Sequence, residues 1–207
     1  TEGGTLVTLT GSNFVDHGGI FCRFGGLASA VVAATRLSDT RLTCESPAAA
    51  LAGSVALGLT LNSDRSAFVM STSNFSYYGA GTVHVSLVTP IAGPDAGGSV
   101  LNVSGTGFAQ LGGLRLRFGR PSLQVEGSLL SEGLVQCVSP RMVGGFGGRM
   151  AGVAGQLERV QMTLNGQEYT SSEATYLGFD LGLVRVSALV PQGGPIEGGT
   201  QVDVLGA

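Results

Sequence analysis

One short pattern occurs three times in this chain of 207 residues. Residues 3–14 read GGTLVTLTGSNF, residues 97–108 read GGSVLNVSGTGF, and residues 198–207 read GGTQVDVLGA. In each copy a double glycine precedes a segment in which apolar and polar residues alternate, which is typical of a half-buried antiparallel strand. The glycine pair supplies a turn with backbone angles that other residues rarely adopt. The pattern therefore predicts three equivalent strands in three copies of one fold.

Further short pieces recur in the same order after the first two copies. The matching pairs are CRFGG at 22–26 with LRFGR at 116–120, LTCESP at 42–47 with VQCVSP at 135–140, LTLN at 59–62 with MTLN at 162–165, and FSYYG at 75–79 with ATYLG at 174–178. They define a repeat of about a hundred residues, which suits a β-sandwich of immunoglobulin size better than a solenoid. We expect a first repeat at 1–80 without its leading strand, a second at 81–181 and the start of a third at 182–207.

Composition favours many short strands over helices. The chain has 35 glycines and only 12% charged residues, and its apolar residues come in short runs broken by Gly, Pro, Ser and Thr. No run is long enough to span a membrane, so we expect no membrane insertion by this segment. The predicted fold is all-β, with mostly antiparallel sandwiches. The alternating strands should bury Val7, Leu9, Leu101 and Val103.

The stretches before the second and third copies carry a longer shared pattern. VHVSLVTPIAGPDAGG at 83–98 parallels VRVSALVPQGGPIEGG at 184–199. Pro-x-x-Gly-Pro-x-x-Gly-Gly, followed by Ser or Thr and an alternating strand, resembles the IPT/TIG repeat, as do CRFG and CESP. The resemblance implies tandem immunoglobulin-like sandwiches of a large cell-surface protein, such as a receptor or a ciliary membrane protein. Because the first repeat starts at its glycine pair, we expect the chain to be a window on a longer protein.

In this family the two cysteine positions of the first repeat commonly carry a disulfide, so the resemblance implies a Cys22–Cys44 bond and an oxidising compartment. The alternative is two buried thiols in a cytosolic sandwich. In the second repeat Leu116 stands at the position of Cys22. We therefore expect Cys137 to be a buried, inert thiol, and an intermolecular bridge is the alternative.

Two sequons are compatible with an extracellular protein. They are Asn74-Phe75-Ser76 and Asn102-Val103-Ser104. Strand alternation places Asn74 and Asn102 opposite their apolar neighbours, and hence outward. Both are candidate N-glycosylation sites, and chance occurrence is the alternative.

Catalysis finds little support in the residues. His17 and His84 belong to no metal-spaced cluster, the absence of lysine excludes a Walker A loop, and no Gly-x-Ser-x-Gly occurs. We expect no enzyme, no catalytic residue, no cofactor and no metal site. The net charge of −3 argues against nucleic acid, so RLRFGR at 115–120 is interpreted as a solvated strand face rather than a phosphate site.

The second repeat carries about twelve extra residues within 141–159, rich in glycine. Met142, Phe146 and Met150 are apolar residues in what should be an exposed loop, which favours a contact with a neighbouring domain or chain. The alternative is a flexible loop without a partner.

These observations predict a non-catalytic spacer and adhesive module of an extracellular or cell-surface protein. Its partners would be other domains of the same long chain, neighbouring protein chains and N-glycans. One alternative is a bacterial surface adhesin or an accessory domain of a carbohydrate-active enzyme. Another is a Rel-type DNA-binding module, which would need a basic face.

Overall fold

The computed structural model describes residues 3–26, 29–119, 123–142 and 155–206. The chain divides into two compact units, Thr1–Thr82 and Val83–Ala207. The described helices are two 3-10 turns, Ala80–Thr82 and Leu181–Leu183. Neither is long and apolar enough to cross a membrane. The all-β prediction is confirmed.

The first unit contains six antiparallel strands. They are β1 (Leu6–Thr10), β2 (Phe21–Phe24), β3 (Val31–Ser38), β4 (Arg41–Glu45), β5 (Gly53–Thr60) and β6 (Val69–Tyr77). Their hydrogen-bonded order is β1-β4-β3-β2-β5-β6. Residues 31–33 of β3 pair with β2, whereas residues 34–38 pair with β4. One strand thus passes between the two layers of the sandwich, β1-β4-β3 and β3-β2-β5-β6.

The second unit forms two separate sheets from nine strands, and one further hairpin follows them. The strands are β7 (His84–Thr89), β8 (Ala92–Pro94), β9 (Val100–Thr106), β10 (Arg115–Phe118), β11 (Leu123–Glu126), β12 (Ser128–Ser131), β13 (Leu134–Val138), β14 (Gly155–Thr163) and β15 (Thr175–Phe179), and the hairpin is β16 (Val186–Val190) with β17 (Asp203–Gly206). The sheet orders are β11-β10-β14-β15-β8 and β12-β13-β9-β7. Strand β8 runs parallel to β15, and the other ladders are antiparallel.

Gly127 marks the place where the second unit changes layer. It lies between β11, which pairs with β10, and β12, which pairs with β13. A Cβ at this position would lie 2.9 Å from both Leu116 Cδ1 and Val135 Cγ1, one on each layer. Such contacts are closer than real side chains tolerate, so glycine lets the chain cross through the packed interior.

Each unit has its own hydrophobic core. The buried apolar residues of the first are Phe14, Ile20, Cys22, Phe24, Leu42, Cys44, Leu57 and Leu59. Those of the second are Val83, Val85, Val88, Leu101, Val103, Phe108, Leu114, Leu116, Phe118, Val135, Cys137, Met142, Val160, Met162, Leu164 and Tyr176. No described strand pairs with a strand of the other unit.

The burial prediction for the alternating strands is confirmed in the second unit and only partly in the first. Leu101 and Val103 are fully buried, whereas Val7 and Leu9 are half-buried against the core. The reason lies in the neighbouring strands. Strand β9 lies between β13 and β7, but β1 is the edge of its layer beside β4.

The double-glycine turn and the Ser-Pro piece recur together because they bond to each other. Gly3 and Gly97 have φ values of +79° and +81°. A Cβ at Gly97 would lie 2.7 Å from the carbonyl carbon of Pro140. The next amide donates to the Ser-Pro piece in both units, from Gly4 to Ser46 O at 2.7 Å and from Gly98 to Ser139 O at 3.0 Å. The motif is therefore a clamp at one end of the sandwich.

Candidate contact surfaces

The two cysteines of the first unit are joined. Cys22 on β2 and Cys44 on β4 form a disulfide with a Cα–Cα distance of 6.6 Å. Both residues are buried, and the bond links the two layers of the sandwich. The pairing implied by the family resemblance is confirmed.

The equivalent place in the second unit holds no cross-link. Leu116 and Cys137 are both buried there, and Cys137 is a free thiol. Burial raises the pKa of Cys137 to about 12, so the thiol is neutral at physiological pH. Because the thiolate is the reactive form, this cysteine is inert in the folded unit.

The arginine of the repeated RFG piece belongs to sheet packing in both units. Arg117 lies 4.0 Å from the ring centroid of Tyr169 and donates to Gln161 Oε1 at 3.1 and 2.6 Å. Arg23 lies 4.2 Å from the ring centroid of Phe68 and is only 8% exposed. The aromatic partners carry no signal in the sequence that links them to these arginines, and sequence reasoning missed them.

The expectation of a solvated strand face at 115–120 is therefore only partly right. Arg115 is exposed, but Arg117 is engaged with Tyr169 and Gln161 on the outer face of its sheet. A guanidinium held in this way has few free donors for a phosphate. Arg120 lies outside the described residues.

The structure corrects the prediction for the start of the glycine-rich insertion. Met142 was expected in an exposed loop, yet it is 2% exposed. Its amide donates to Asp95 O at 2.7 Å, and its side chain fills the space that glycine leaves at Gly178. Met142 therefore anchors the chain in the core beside β15 and the end of β8.

The insertion also ends earlier in the chain than the sequence predicted. Residues 155–159 belong to β14 and pair with β15. Phe146 and Met150, the other two apolar residues named as contact candidates, lie outside the described residues. Sequence alignment of the two repeats could not find these bounds, because Met142 is fixed by partners far away in the chain.

The two sequon asparagines are exposed. Asn102 lies on the outer face of β9, in the middle of its sheet, where its Oδ1 accepts a hydrogen bond from Gln136 Nε2 at 3.2 Å. Asn74 lies on β6, which is the last strand of its sheet. Both side chains point away from the cores, as strand alternation predicts. Glycosylation of either residue stays a prediction.

Ionisable groups form no compact site in the described part of the chain. No three His, Cys, Asp or Glu side chains there are close enough to hold a metal ion. His17 and His84 are both exposed and lie in different units. Asp16 Oδ1 accepts hydrogen bonds from the amides of Gly19 and Gly18 at 2.7 and 3.0 Å, which lower the pKa of its carboxyl group. Such bonds fix a turn.

Comparisons with known proteins agree with this architecture. The model of the family described as the IPT/TIG domain matches residues 1–77 and 84–177. Two solved structures of the plexin A4 extracellular region are similar to the chain. The first has a TM-score of 0.58 and 16% identity over 99% of this chain, and the second has 0.52 and 16% over 86%.

The chain spans only 16% and 17% of the two plexin chains. At this identity the likeness concerns the fold alone. A comparison with curated proteins found no significant match.

Proposed function

The chain belongs to the IPT/TIG domain family, and we propose that it is a non-catalytic spacer and protein-contact segment of a larger extracellular or cell-surface protein. One observation carries this proposal. Two units of the same family follow each other in one chain, and each closes its own core and its own sheets. Domains that each have a complete core and complete sheets can follow one another in one chain without exchanging strands, and a spacer requires this property.

Three features support an extracellular location. The Cys22–Cys44 bond is a buried structural disulfide, and such bonds persist mainly in oxidising compartments. Asn74 and Asn102 are exposed and carry the sequence required for N-glycosylation. The similar solved structures are extracellular regions. We propose that both asparagines are glycosylated and that the protein lies at the cell surface.

We place the contact function in what differs between the two repeats, because the shared pieces are accounted for by folding. The largest difference is the insertion, of which residues 143–154 lie outside the described part of the chain. Its Phe146 and Met150 remain our candidates for contact with a neighbouring domain or chain. The division into repeats at 1–80, 81–181 and 182–207 stays a prediction.

The competing DNA-binding hypothesis is disfavoured by the charges and their placement. The chain has a net charge of −3. Arg117 packs on Tyr169 and Arg23 packs on Phe68, so the arginines that the two repeats share are used within their sheets. A DNA-binding face instead requires several free cations at phosphate spacing.

The location can be tested on the protein in its own cells. Intact cells would be labelled with an antibody against this segment, and the protein would then be digested without reduction for mass spectrometry. We expect surface labelling, joined Cys22 and Cys44 peptides, and glycan mass on the Asn74 and Asn102 peptides that glycosidase removes. Free Cys22 and Cys44 together with labelling only after permeabilisation would refute the extracellular proposal.

The contact role needs a second experiment. Removing residues 143–154 while keeping Met142 should leave the second unit folded, because the described core residues of this unit all lie outside that range. The same change should reduce cross-linking of the protein to its neighbours on the cell. Unchanged cross-linking by a folded variant would show that residues 143–154 do not carry the contact.

A further inference from the structure

The second unit has an open groove where its chain changes layer. The groove has a volume of about 450 Å³, and its lining includes Val100, Val125, Glu126, Gln136, Cys137 and Val138. It lies between the end of β11 in one layer and the end of β13 in the other. Val100 and Val138 are paired across β9 and β13 and are 57% and 51% exposed.

The backbone of Val138 faces this groove. Ser139 donates to Ser99 O at 2.8 Å, so Ser139 directs its backbone groups towards β9. Successive residues of an antiparallel ladder point their N–H and C=O groups to opposite sides. The groups of Val138 therefore point towards the side of β12.

No described strand covers Val138 on that side. Strand β12 begins with Ser128 opposite Gln136, and the residues before Gly127 already belong to β11 in the other layer. Among the described residues the layer change thus leaves a free edge on β13 at Val138, between Gln136, which pairs with Ser128, and Pro140, which has no N–H. A free edge with exposed apolar side chains is a template for an added strand.

The charge of the groove indicates which peptide side chains would bind there. Glu126 is the one charged side chain among the described residues that line it, since the Cys137 thiol is neutral. Arg115 lies opposite Glu126 in register, yet the ion pairs among the described residues are Arg36–Asp39 and Arg159–Glu173. Within the described part of the chain the Glu126 carboxylate makes no ion pair, so it is available to a cationic partner.

We infer that this groove binds an extended peptide segment of a partner protein, which adds to β13 beside Val138, lays apolar side chains on Val100 and Val138, and places a lysine or arginine at Glu126. The inference rests on the proposed contact role and names the kind of partner. The first repeat differs at this place. Glu45 stands where the second has Val138, and Cys44 is in a disulfide.

The test uses the 207-residue chain and a synthetic peptide of alternating valine and threonine with one arginine, long enough to form one strand. Amide NMR spectra would be recorded during titration, and hydrogen exchange of the Val138 amide would be measured with and without peptide. We expect shifts centred on residues 125–128 and 136–139 and slower exchange of Val138. The same peptide N-methylated at every second residue should lose binding, because it cannot pair with a strand edge.

Charge reversal gives the matched control. Glu126→Lys should lower the affinity for the arginine peptide at least threefold. It should raise the affinity for a peptide in which glutamate replaces the arginine. Val138→Glu, which copies the first repeat, should abolish binding without unfolding the unit. The inference fails if the arginine peptide does not bind, if the N-methylated peptide binds equally, or if Glu126→Lys has no effect. It also fails if Val138 is protected by self-association without peptide.

These outcomes are separable from the proposed function. If the peptide does not bind but removal of 143–154 still reduces cross-linking on the cell, the contact role stands and the groove inference falls. If the peptide binds and the removal has no effect, the partner surface is the groove.

Discussion

The Ser139 hydroxyl accepts a hydrogen bond from the Ser99 amide at 3.0 Å, and Ser139 is only 3% exposed. In the first unit the Ser46 hydroxyl accepts a hydrogen bond from the Thr5 amide in the same way, at 3.2 Å. In both units the bond ties the double-glycine turn to the piece that ends in Pro47 or Pro140. This relation explains why two pieces about forty residues apart recur together.

We expect Ser139→Ala to lower the free energy of unfolding of the second unit by about 0.5–1.5 kcal/mol, because it removes the acceptor of the part-buried Ser99 amide. Ser46→Ala should do the same in the first unit. The measurement is urea unfolding. Ser86→Ala, at an exposed hydroxyl that donates to the Ser104 carbonyl, is the control and should change stability by less than about 0.5 kcal/mol. Equal losses in all three variants would contradict the clamp.

Leu116→Cys should restore the missing cross-link of the second unit. Leu116 and Cys137 occupy the positions of Cys22 and Cys44, and both are buried. We expect peptide mapping of the oxidised variant to show a bond between the introduced cysteine and Cys137. Its oxidised form should be about 2–4 kcal/mol more stable than its reduced form. The double variant with Cys137→Ala is the control, and two free thiols after oxidation would show that the layers are placed differently.

Met142→Ala should cost the second unit about 2–4 kcal/mol, because it leaves a cavity against Gly178 and below Asp95. Met70 is 45% exposed, so Met70→Ala should cost less than half as much. Thermal unfolding of both variants gives the comparison. A negligible loss for Met142→Ala would restore the expectation of an exposed loop.

Stability of the second unit should fall at alkaline pH through Cys137. The pKa of its thiol is raised by burial from 9.0 to about 12. Below pH 9 the thiol is neutral in both the folded and the unfolded chain. Between pH 9 and 12 only the unfolded chain loses the proton, so the unfolded state gains stability as the pH rises.

The matched measurement is the pH dependence of unfolding for the chain and for Cys137→Ala. We expect the alanine variant to lose less stability as the pH rises from 9.0 towards 12. Alkylation of Cys137 in the folded chain should also stay slow through this range. Identical pH profiles would mean that the thiol is not shielded as described.

Much of the fold could be predicted because the signals are local and repeated. Alternation in Leu101 to Val103 and the recurrence of RFG predict strands whatever their partners are. The Cys22–Cys44 pairing came from the family resemblance, and the structure confirms it.

The misses concern partners far apart in the chain. Met142 lies next to a glycine-rich run, and only its contact with Gly178 and Asp95 makes it a core residue. From the sequence alone, Arg117 is expected to be an exposed cation. In the structure the ring of Tyr169, which belongs to an irregular segment, packs against its guanidinium group. The free edge at Val138 depends on the layer change at Gly127, which no periodicity reveals.

The cross-link of the first unit also sets how far that unit can be stretched. If a pulling force unfolds both units, the segment between Cys22 and Cys44 stays closed, because the bond carries the load past it. At a separation of 22 residues this withholds about 70 Å of extended chain. The second unit has no such bond in its described part and releases its full contour length. Two modules built on one plan therefore yield by different amounts under tension, and reducing agent would erase the difference.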